Sequence, residues 1–389
     1  MEKNSVATQV FGPRTTAIKG GIIIDWPQAR IEHRKGQHKI WQTRLFPMKI
    51  LLASDIHDNL VAAKRMRSQE TDQYDALIIA GDIGSNNTKE IFDVFSSFKC
   101  PVLYVYGNWD HGLDYDKSFG VNCYHLHLNP FALGDLRIVG FSGCTAGWGK
   151  NPVAVRLRQE VEDGHTTVIS ELNAARFIRE HAISVIEAEY TAALQDLMSG
   201  SRRKPSQAKV DALDKRRRKQ LDAVIDDSNK IEKSDEFNRY QHDLLSVSAT
   251  AQAVNRAALS DVVQTSEWAN SRTIVVTHDR LSKTQNDFPG IPLFLFGHRH
   301  GFNETSFQGS QYVNVSVLDK RLLMRSRAIA AGKRKQEYKN LNTGNYGVME
   351  WTRQRGFAFR RVDLEVDPRW QDEWEVVDNF QKPGAPFLA

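Results

Sequence analysis

From residue 48 onward, short apolar runs alternate with amphipathic ones. KILLAS (49–54), ALIIAG (76–81) and PVLYVYG (101–107) are near-continuous apolar runs of strand length. Between them, NLVAAKRMRSQE (59–70) and TKEIFDVFSSF (88–98) carry apolar residues at helical spacing. A repeated strand–helix pattern with strands apolar on both faces predicts parallel strands covered by helices on both sides. LRIVGFSG (136–143) predicts a further strand. After residue 272 the strand pattern returns in RTIVVTH, PLFLFGH, QYVNVSV, YGVMEW and FAFRRVDL.

Residues 152–270 break this pattern. They are rich in Ala, Glu, Lys, Arg, Gln and Asp, with few Gly or Pro, and EAEYTAALQDLM and EFNRYQHDLLSVSATAQAVNRAAL have the 3.6-residue period of amphipathic helices. We read a helical insertion, a hairpin or small bundle, serving as a cap or arm, with a turn marked by Gly200, Ser201 and Pro205. Residues 1–47 read as a polar extension containing one strand-like run, GIIIDW. Met48 is an alternative start, and the pattern leaves both readings open. The basic interval 320–343 reads as a loop or short helix, and 367–389 as an aperiodic tail. The core is then 48–151 and 271–366, interrupted by the insertion.

Composition adds little. At 389 residues with 41% hydrophobic content, the chain supports a sizeable core. A net charge of +5 permits an anionic substrate without requiring one. The three cysteines, Cys100, Cys123 and Cys144, lie in or near apolar stretches without zinc-like spacing. They are expected to be reduced and buried, as in a reducing compartment. No apolar run has the length of a signal peptide core or a membrane span, so a cytoplasmic protein is expected.

The candidate chemistry sits at the strand ends. Asp55 and His57 follow the first strand, Asp82 the second, Asn108 the third, His278 a fourth, and His298 and His300 a fifth. Ligands of open α/β sheets bind beyond the carboxyl ends of strands, so these clusters are expected to converge. Asp, His and Asn together suit borderline divalent cations. In a strict strand, the spacing of Asp55-x-His57 and His298-x-His300 would put both side chains of each pair on one face. A glycine precedes Asp82, Asn108 and His298, where the chain must turn sharply. Each piece alone is weak. Their conjunction, in this order and each after a strand, is not.

The ordered set DIH, GD, GN, TH and GHRH resembles the calcineurin-like metallophosphoesterase superfamily over about 48–145 and 272–365. The resemblance implies a four-layer α/β/β/α sandwich with two divalent metals at one edge. It implies one metal on Asp55, His57, Asp82 and His300, and a second on Asp82, Asn108, His278 and His298, with Asp82 bridging. It further implies hydrolysis of a phosphoester by a metal-bridging hydroxide, with manganese as the default and Fe, Zn, Co or Ni as alternatives.

One position departs from the family pattern. Where the family often has a histidine after the metal-binding asparagine, as general acid, this chain has Trp109, and indole cannot serve as that acid. Either the leaving group needs no acid, or His111 supplies it, or Trp109 stacks on a nucleobase, or Trp109 only packs. Trp109 and Arg299 are candidate substrate contacts. His125 and His127, alternating on an expected strand, read as structural. Basic runs at 201–205, 214–220 and 320–335 read either as solvated surface or as contacts to a nucleic acid or a partner.

The function expected first is a phosphodiesterase on a nucleotide or nucleic acid. A phosphomonoesterase comes second. A non-catalytic interaction module, with the insertion binding a protein partner or a second copy, comes third.

Overall fold

The computed structural model describes residues 14–18, 21–25, 47–143, 148–199, 207–264, 270–319, 321–330, 333–340, 344–365 and 374–380, with backbone alone for 14–18, 21–25, 226–228, 321–330, 333–340 and 374–380. Residues 1–45 form one compact unit and 46–389 another. In the first, β1 (Arg14–Ile18) and β2 (Gly21–Asp25) pair as an antiparallel hairpin, and the second of these is the strand-like GIIID run.

In the second unit the apolar runs form β3 (Met48–Ala53), β4 (Ala76–Ala80), β5 (Val102–Val105), β6 (Cys123–His125), β7 (Phe131–Leu133) and β8 (Leu136–Phe141). Helices α1 (Leu60–Gln69) and α2 (Thr88–Ser96) cross over between the first three. Asn59 starts α1 by accepting the Ala62 N–H on its side chain, which satisfies one of the donors that every helix start leaves open. The insertion is α3 (Pro152–Gly164), α4 (Thr166–Ser199), α5 (Gln207–Glu232) and α6 (Asp235–Gln264). The turn expected at Gly200, Ser201 and Pro205 lies outside the described residues. Then come β9 (Thr273–Thr277), α7 (Thr284–Asp287), β10 (Leu293–Phe296), β11 (Asn303–Phe307), β12 (Ser310–Asn314), β13 (Arg321–Ala330), β14 (Lys333–Asn340), β15 (Asn345–Thr352), β16 (Gly356–Asp363) and β17 (Trp374–Phe380).

The strands divide between two six-stranded sheets, in the orders β16-β15-β3-β4-β5-β6 and β11-β12-β10-β9-β8-β7. β3, β4, β5 and β6 run parallel in one sheet and β8, β9, β10 and β12 in the other, whereas β15 is antiparallel to both β3 and β16, and the edge strands β7 and β11 are antiparallel to their neighbours. Alternation along each strand then builds three apolar layers. Ile50, Leu52, Ile78 and Leu103 face Ile138, Ile274, Leu295 and Val313 between the sheets. Leu51, Ile79 and Tyr104 face outward onto Met66, Phe92 and Phe95 of α1 and α2. Val139, Val275 and Phe294 face the other way onto Leu259 and Val263 of α6 and Phe288 beyond α7. The result is the helix–sheet–sheet–helix sandwich.

Two expectations are corrected here. Within the interval expected as a loop or short helix, 320–343, the described residues 321–330 and 333–340 are strands, and β13 and β14 pair antiparallel. Nor is 367–389 only a tail, since β17 adds to β14 to make a separate three-stranded sheet. Register shifts at Leu323/Arg325 and Ala328/Ala330 break the period-two pattern that would have marked β13. The partner of β17 lies more than thirty residues away, so its pairing has no local signature. Among the described residues, no helix is long and apolar enough to cross a membrane.

Candidate metal centre

Five strands end at one edge of the sandwich, and the loops beyond them carry the site. Asp55 and His57 follow β3, Asp82 follows β4, Asn108 follows β5, His278 follows β9, and His298 and His300 follow β10. The first four come from one sheet and the last three from the other. Closure of the sandwich, more than the edge of a single sheet, is what brings them together.

The local backbone is not the strand that the Asp-x-His spacing suggested. Asp55 (φ 52°), His57 (φ 49°), Asp82 (φ 54°), His298 (φ 68°) and His300 (φ 47°) are all left-handed, as is Asp58 (φ 63°). For L-residues this region is sparsely populated, and such strain clusters where surrounding structure enforces a functional geometry. The enforcing contacts are visible. Ile56 N–H and His57 N–H both donate to the Asp82 carbonyl at 2.7 and 3.0 Å, and Asp58 N–H donates to the Ile83 carbonyl at 2.9 Å. Glycine is needed where these loops approach each other. A Cβ on Gly81 (φ 85°) would lie 2.6 Å from His278 Nδ1, and one on Gly107 would lie 2.3 Å from Asp82 Oδ1.

The side chains form a cage with a buried floor and one open wall. Asp55, Asp82 and His278 are at most 1% exposed and His57 is 5% exposed. His298, Arg299 and His300 are exposed. Two groups of donor atoms converge: Asp55, His57 and His300 in one, Asp82, His278 and His298 in the other. Asp82 Oδ2 stands between them, 3.3 Å from His57 Nε2 and 3.2 Å from His278 Nε2. His300 Nε2 lies 3.5 Å from Asp55 Oδ1, and His298 Nδ1 lies 3.2 Å from His278 Nε2. Asn108 Oδ1 is buried and has no hydrogen-bond partner among the described residues. Buried acceptors without donors are rare, and an oxygen of this kind facing a cation would be satisfied.

The electrostatics point the same way. Burial alone would push the His57 imidazole down, but hydrogen bonds to Asp319 and Asp82 outweigh it and raise it to about 10. Burial opposes the charged form of His278 as well, and Asp82 raises it to about 9. Burial raises the Asp55 carboxyl, whereas the neighbouring imidazoles hold Asp82 far below the usual carboxylate range. The carboxylates at this site thus draw in positive charge. Two divalent cations fit this donor set, with oxygen and imidazole ligands and no thiolate.

The backbone and a further ring of residues hold the donors in place. His278 Nδ1 lies 2.9 Å from the Ala80 carbonyl, which turns Nε2 toward Asp82. His57 Nδ1 lies 3.4 Å from Asp319 Oδ2. Asp319 in turn accepts a 2.8 Å bond from Asn59 Nδ2 and donates its own N–H to the Asp55 carbonyl at 2.9 Å. Ser54 Oγ donates to Asp55 Oδ2 at 2.9 Å. Asp110 accepts the N–H groups of Gly84 and Gly107 at 2.8 and 2.7 Å and braces two of the loops. Asp319 was not anticipated from sequence. It lies five residues past the end of β12, so the strand-end rule that flagged the other positions would have reached it.

The remaining candidates separate. The Trp109 ring lies 4.5 Å from that of His57, and its backbone N–H donates to Asp82 Oδ1 at 2.8 Å. His111 is half-buried, and its Nδ1 is buried with no hydrogen-bond partner among the described residues. Arg299 is exposed between the two exposed histidines. His125 and His127 lie away from the cage, among Tyr104, Tyr106, Tyr115 and Trp148, tied to Ser142 through His125 Nε2 at 2.8 Å and His127 Nδ1 at 3.0 Å. Cys100 and Cys123 are free thiols, and Cys144 lies outside the described residues.

A layered sandwich with carboxylates and imidazoles paired at the strand ends defines a metallophosphoesterase fold. Residues 48–198 match the calcineurin-like phosphoesterase superfamily domain. His278, His298 and His300 lie beyond the matched segment. No curated protein matches. Among solved structures, TT1561 of Thermus thermophilus is 12% identical, covering 82% of this chain and 100% of its own, with a TM-score of 0.38. A conserved uncharacterized protein and predicted phosphoesterase from Streptococcus pneumoniae is 11% identical over 82% of this chain and 99% of its own, with a TM-score of 0.25. Phosphopantetheinyl hydrolase from Mycobacterium tuberculosis is 12% identical over 69% of this chain and 88% of its own, with a TM-score of 0.29.

Proposed function

We propose that this phosphoesterase cleaves a phosphodiester, in a nucleotide or nucleic acid, at a centre of two divalent cations, with manganese as the first choice. Asp55, His57, Asp82 and His300 hold one cation. Asp82, Asn108, His278 and His298 hold the other. Bound there, the cations would supply Lewis acidity at the phosphoryl oxygens and would lower the pKa of a water. The chain's own part is geometric and electrostatic. Asp82, placed between His57 and His278, offsets the repulsion between two cations. The buried floor excludes bulk water, and the open wall at His298–His300 admits the substrate, with Arg299 positioned to meet its negative charge.

The diester reading rests on Trp109. The residue after Asn108 packs its ring on His57, and its indole N–H is not acidic enough to protonate a leaving group. Expulsion of a poor leaving group from a monoester benefits from a general acid, whereas a diester with a better leaving group has less need of one. A second reading, a phosphomonoesterase, is favoured by one observation: His111 Nδ1, two residues from Trp109, is buried and unpartnered among the described residues.

Hydrolysis of bis(p-nitrophenyl) phosphate and p-nitrophenyl phosphate with manganese separates them. The expected result is preferential diester cleavage that Asp82→Asn abolishes and His111→Ala leaves nearly intact. Preference for the monoester, lost in His111→Ala, overturns the diester reading. Inactivity on both substrates with several metals shifts the weight to an interaction module.

A further inference from the structure

Two stretches of this protein are strongly basic, 201–219 and 320–335, and the first belongs to the helical arm. Residues 201–219 contain nine Lys and Arg against two Asp, a net of +7, whereas the whole chain carries +5. Outside this stretch the protein is therefore slightly acidic. Part of the stretch lies in α5, which runs back along α4 as a helical hairpin, and among its described side chains none is buried.

Within the run 215–219 the structure divides the cations by face. Arg217 points inward: its guanidinium grips both carboxylate oxygens of Glu187 on α4, with bonds of 2.6, 2.9 and 3.0 Å, and lies 5.0 Å from the Tyr190 ring. This residue fixes the rotation of α5 about its axis. With Arg217 turned in, a rotation of about 100° per residue puts Lys215, Arg216, Arg218 and Lys219 on the outward side. All four are exposed. Asp211 and Asp222 are exposed about one turn away at either end and bound the strip.

We propose that this outward face of α5 binds the phosphate backbone of a nucleic acid without reading its sequence, which makes the protein a phosphodiesterase that holds a long polyanionic substrate by its arm. The inference rests on the diester reading above. Charge density supports it. Four cations lie within about 6 Å of helix axis, and a duplex carries one charge per ~1.7 Å, so the strip faces about as many phosphates as it has cations. A membrane surface fits less well, because a helix lying on lipid needs a broad apolar face. Ile225 is the one large apolar residue exposed among the described side chains of α5.

The test is fluorescence anisotropy of a labelled 20-base-pair phosphorothioate DNA duplex, which resists hydrolysis, with the full chain in manganese over a salt series. The variant Lys215→Gln, Arg216→Gln, Arg218→Gln, Lys219→Gln keeps good helix formers on α5, and circular dichroism checks that it folds. The wild type is expected to bind with a steep salt dependence. The variant should bind at least ten-fold more weakly, with the slope of log K against log salt shallower by about 3 to 4. Asp211→Asn with Asp222→Asn should tighten binding, a gain that misfolding does not produce. Bis(p-nitrophenyl) phosphate turnover should be the same in all three proteins.

No duplex binding by the wild type at 50 mM salt overturns the inference, as does a quadruple variant that keeps the wild-type affinity and slope. Binding to vesicles containing phosphatidylserine, but not to the duplex, overturns it in favour of a membrane. A wild type that binds the duplex yet turns over no diester leaves the strip standing and removes the diester reading instead.

Discussion

At the scale of single residues, three changes separate the roles proposed for the site. Asp82 Oδ2 faces both His57 and His278, so Asp82→Asn removes the one charge shared by the two donor groups. Its kcat should fall by about 10³-fold or more, while circular dichroism stays that of the wild type. Asp319 is expected to act through His57, as partners of ligating histidines usually do. Asp319→Ala should weaken metal affinity or activity by about 10–100-fold, and excess manganese should restore much of the activity. A purely structural role would lower stability without rescue by metal. Trp109→His places an acid-capable ring beside Asn108. The expected outcome is a rise in the ratio of monoester to diester turnover, and an unchanged ratio argues that this position takes no part in leaving-group protonation.

At the scale of elements, the insertion has two parts with different dependence on the core. The end of α6 belongs to the core: Leu259 and Val263 are fully buried against β8 and β9, and the buried Arg137 donates to the Val262 and Val263 carbonyls at 3.3 and 3.1 Å. α3 packs on α6, and Asn151 is tied to Asn255 at 3.1 Å. Among the described residues, the hairpin of α5 with the distal part of α4 has no such anchor in the three core layers. Replacing 177–232 with a short linker should leave hydrolysis of bis(p-nitrophenyl) phosphate within a few-fold of wild type. Deleting all of 152–270 should instead destabilise the chain, because it uncovers the outer face of the second sheet. Melting curves of the two deletions decide the matter.

At the scale of the whole molecule, stability depends on pH and on metal through separate regions. Burial pushes the imidazoles of His125 and His127 down, to about 4 and about 3, with the charge of His125 adding to the effect at His127. The unfolded chain takes up these protons near 6.5, the folded chain only well below. Their contribution is therefore fully present above about pH 6.5 and is lost as the pH falls toward about 4. A His127→Gln variant that still folds should show a weaker loss of Tm between about pH 6.5 and 4.5. Metal is expected to act at the cage, where the buried carboxylates of Asp55 and Asp82 stand among imidazoles. Manganese well above its Kd should raise Tm by several degrees over the EDTA-treated protein, and the rise should vanish in Asp82→Asn.

Much of this protein was legible in the chain, and for a local reason. Strand runs, amphipathic helices and the donor residues after each run are set by neighbours a few positions apart. So are the superfamily motifs and the helical character of 152–270. What tertiary structure decided depends on partners far away in sequence. The division of the donors between two sheets arises from the pairing of strands, and the left-handed backbone at Asp55, His57, Asp82, His298 and His300 is held by contacts between loops. Asp319 meets Asn59 across 260 positions. β13, β14 and β17 acquire strand structure by pairing with one another, and bulges blur the alternation that would have betrayed them. The direction of each cation on α5 likewise depends on Arg217 finding Glu187 on another helix. A sequence lists the residues available for such contacts, but only the closed fold selects which of them meet.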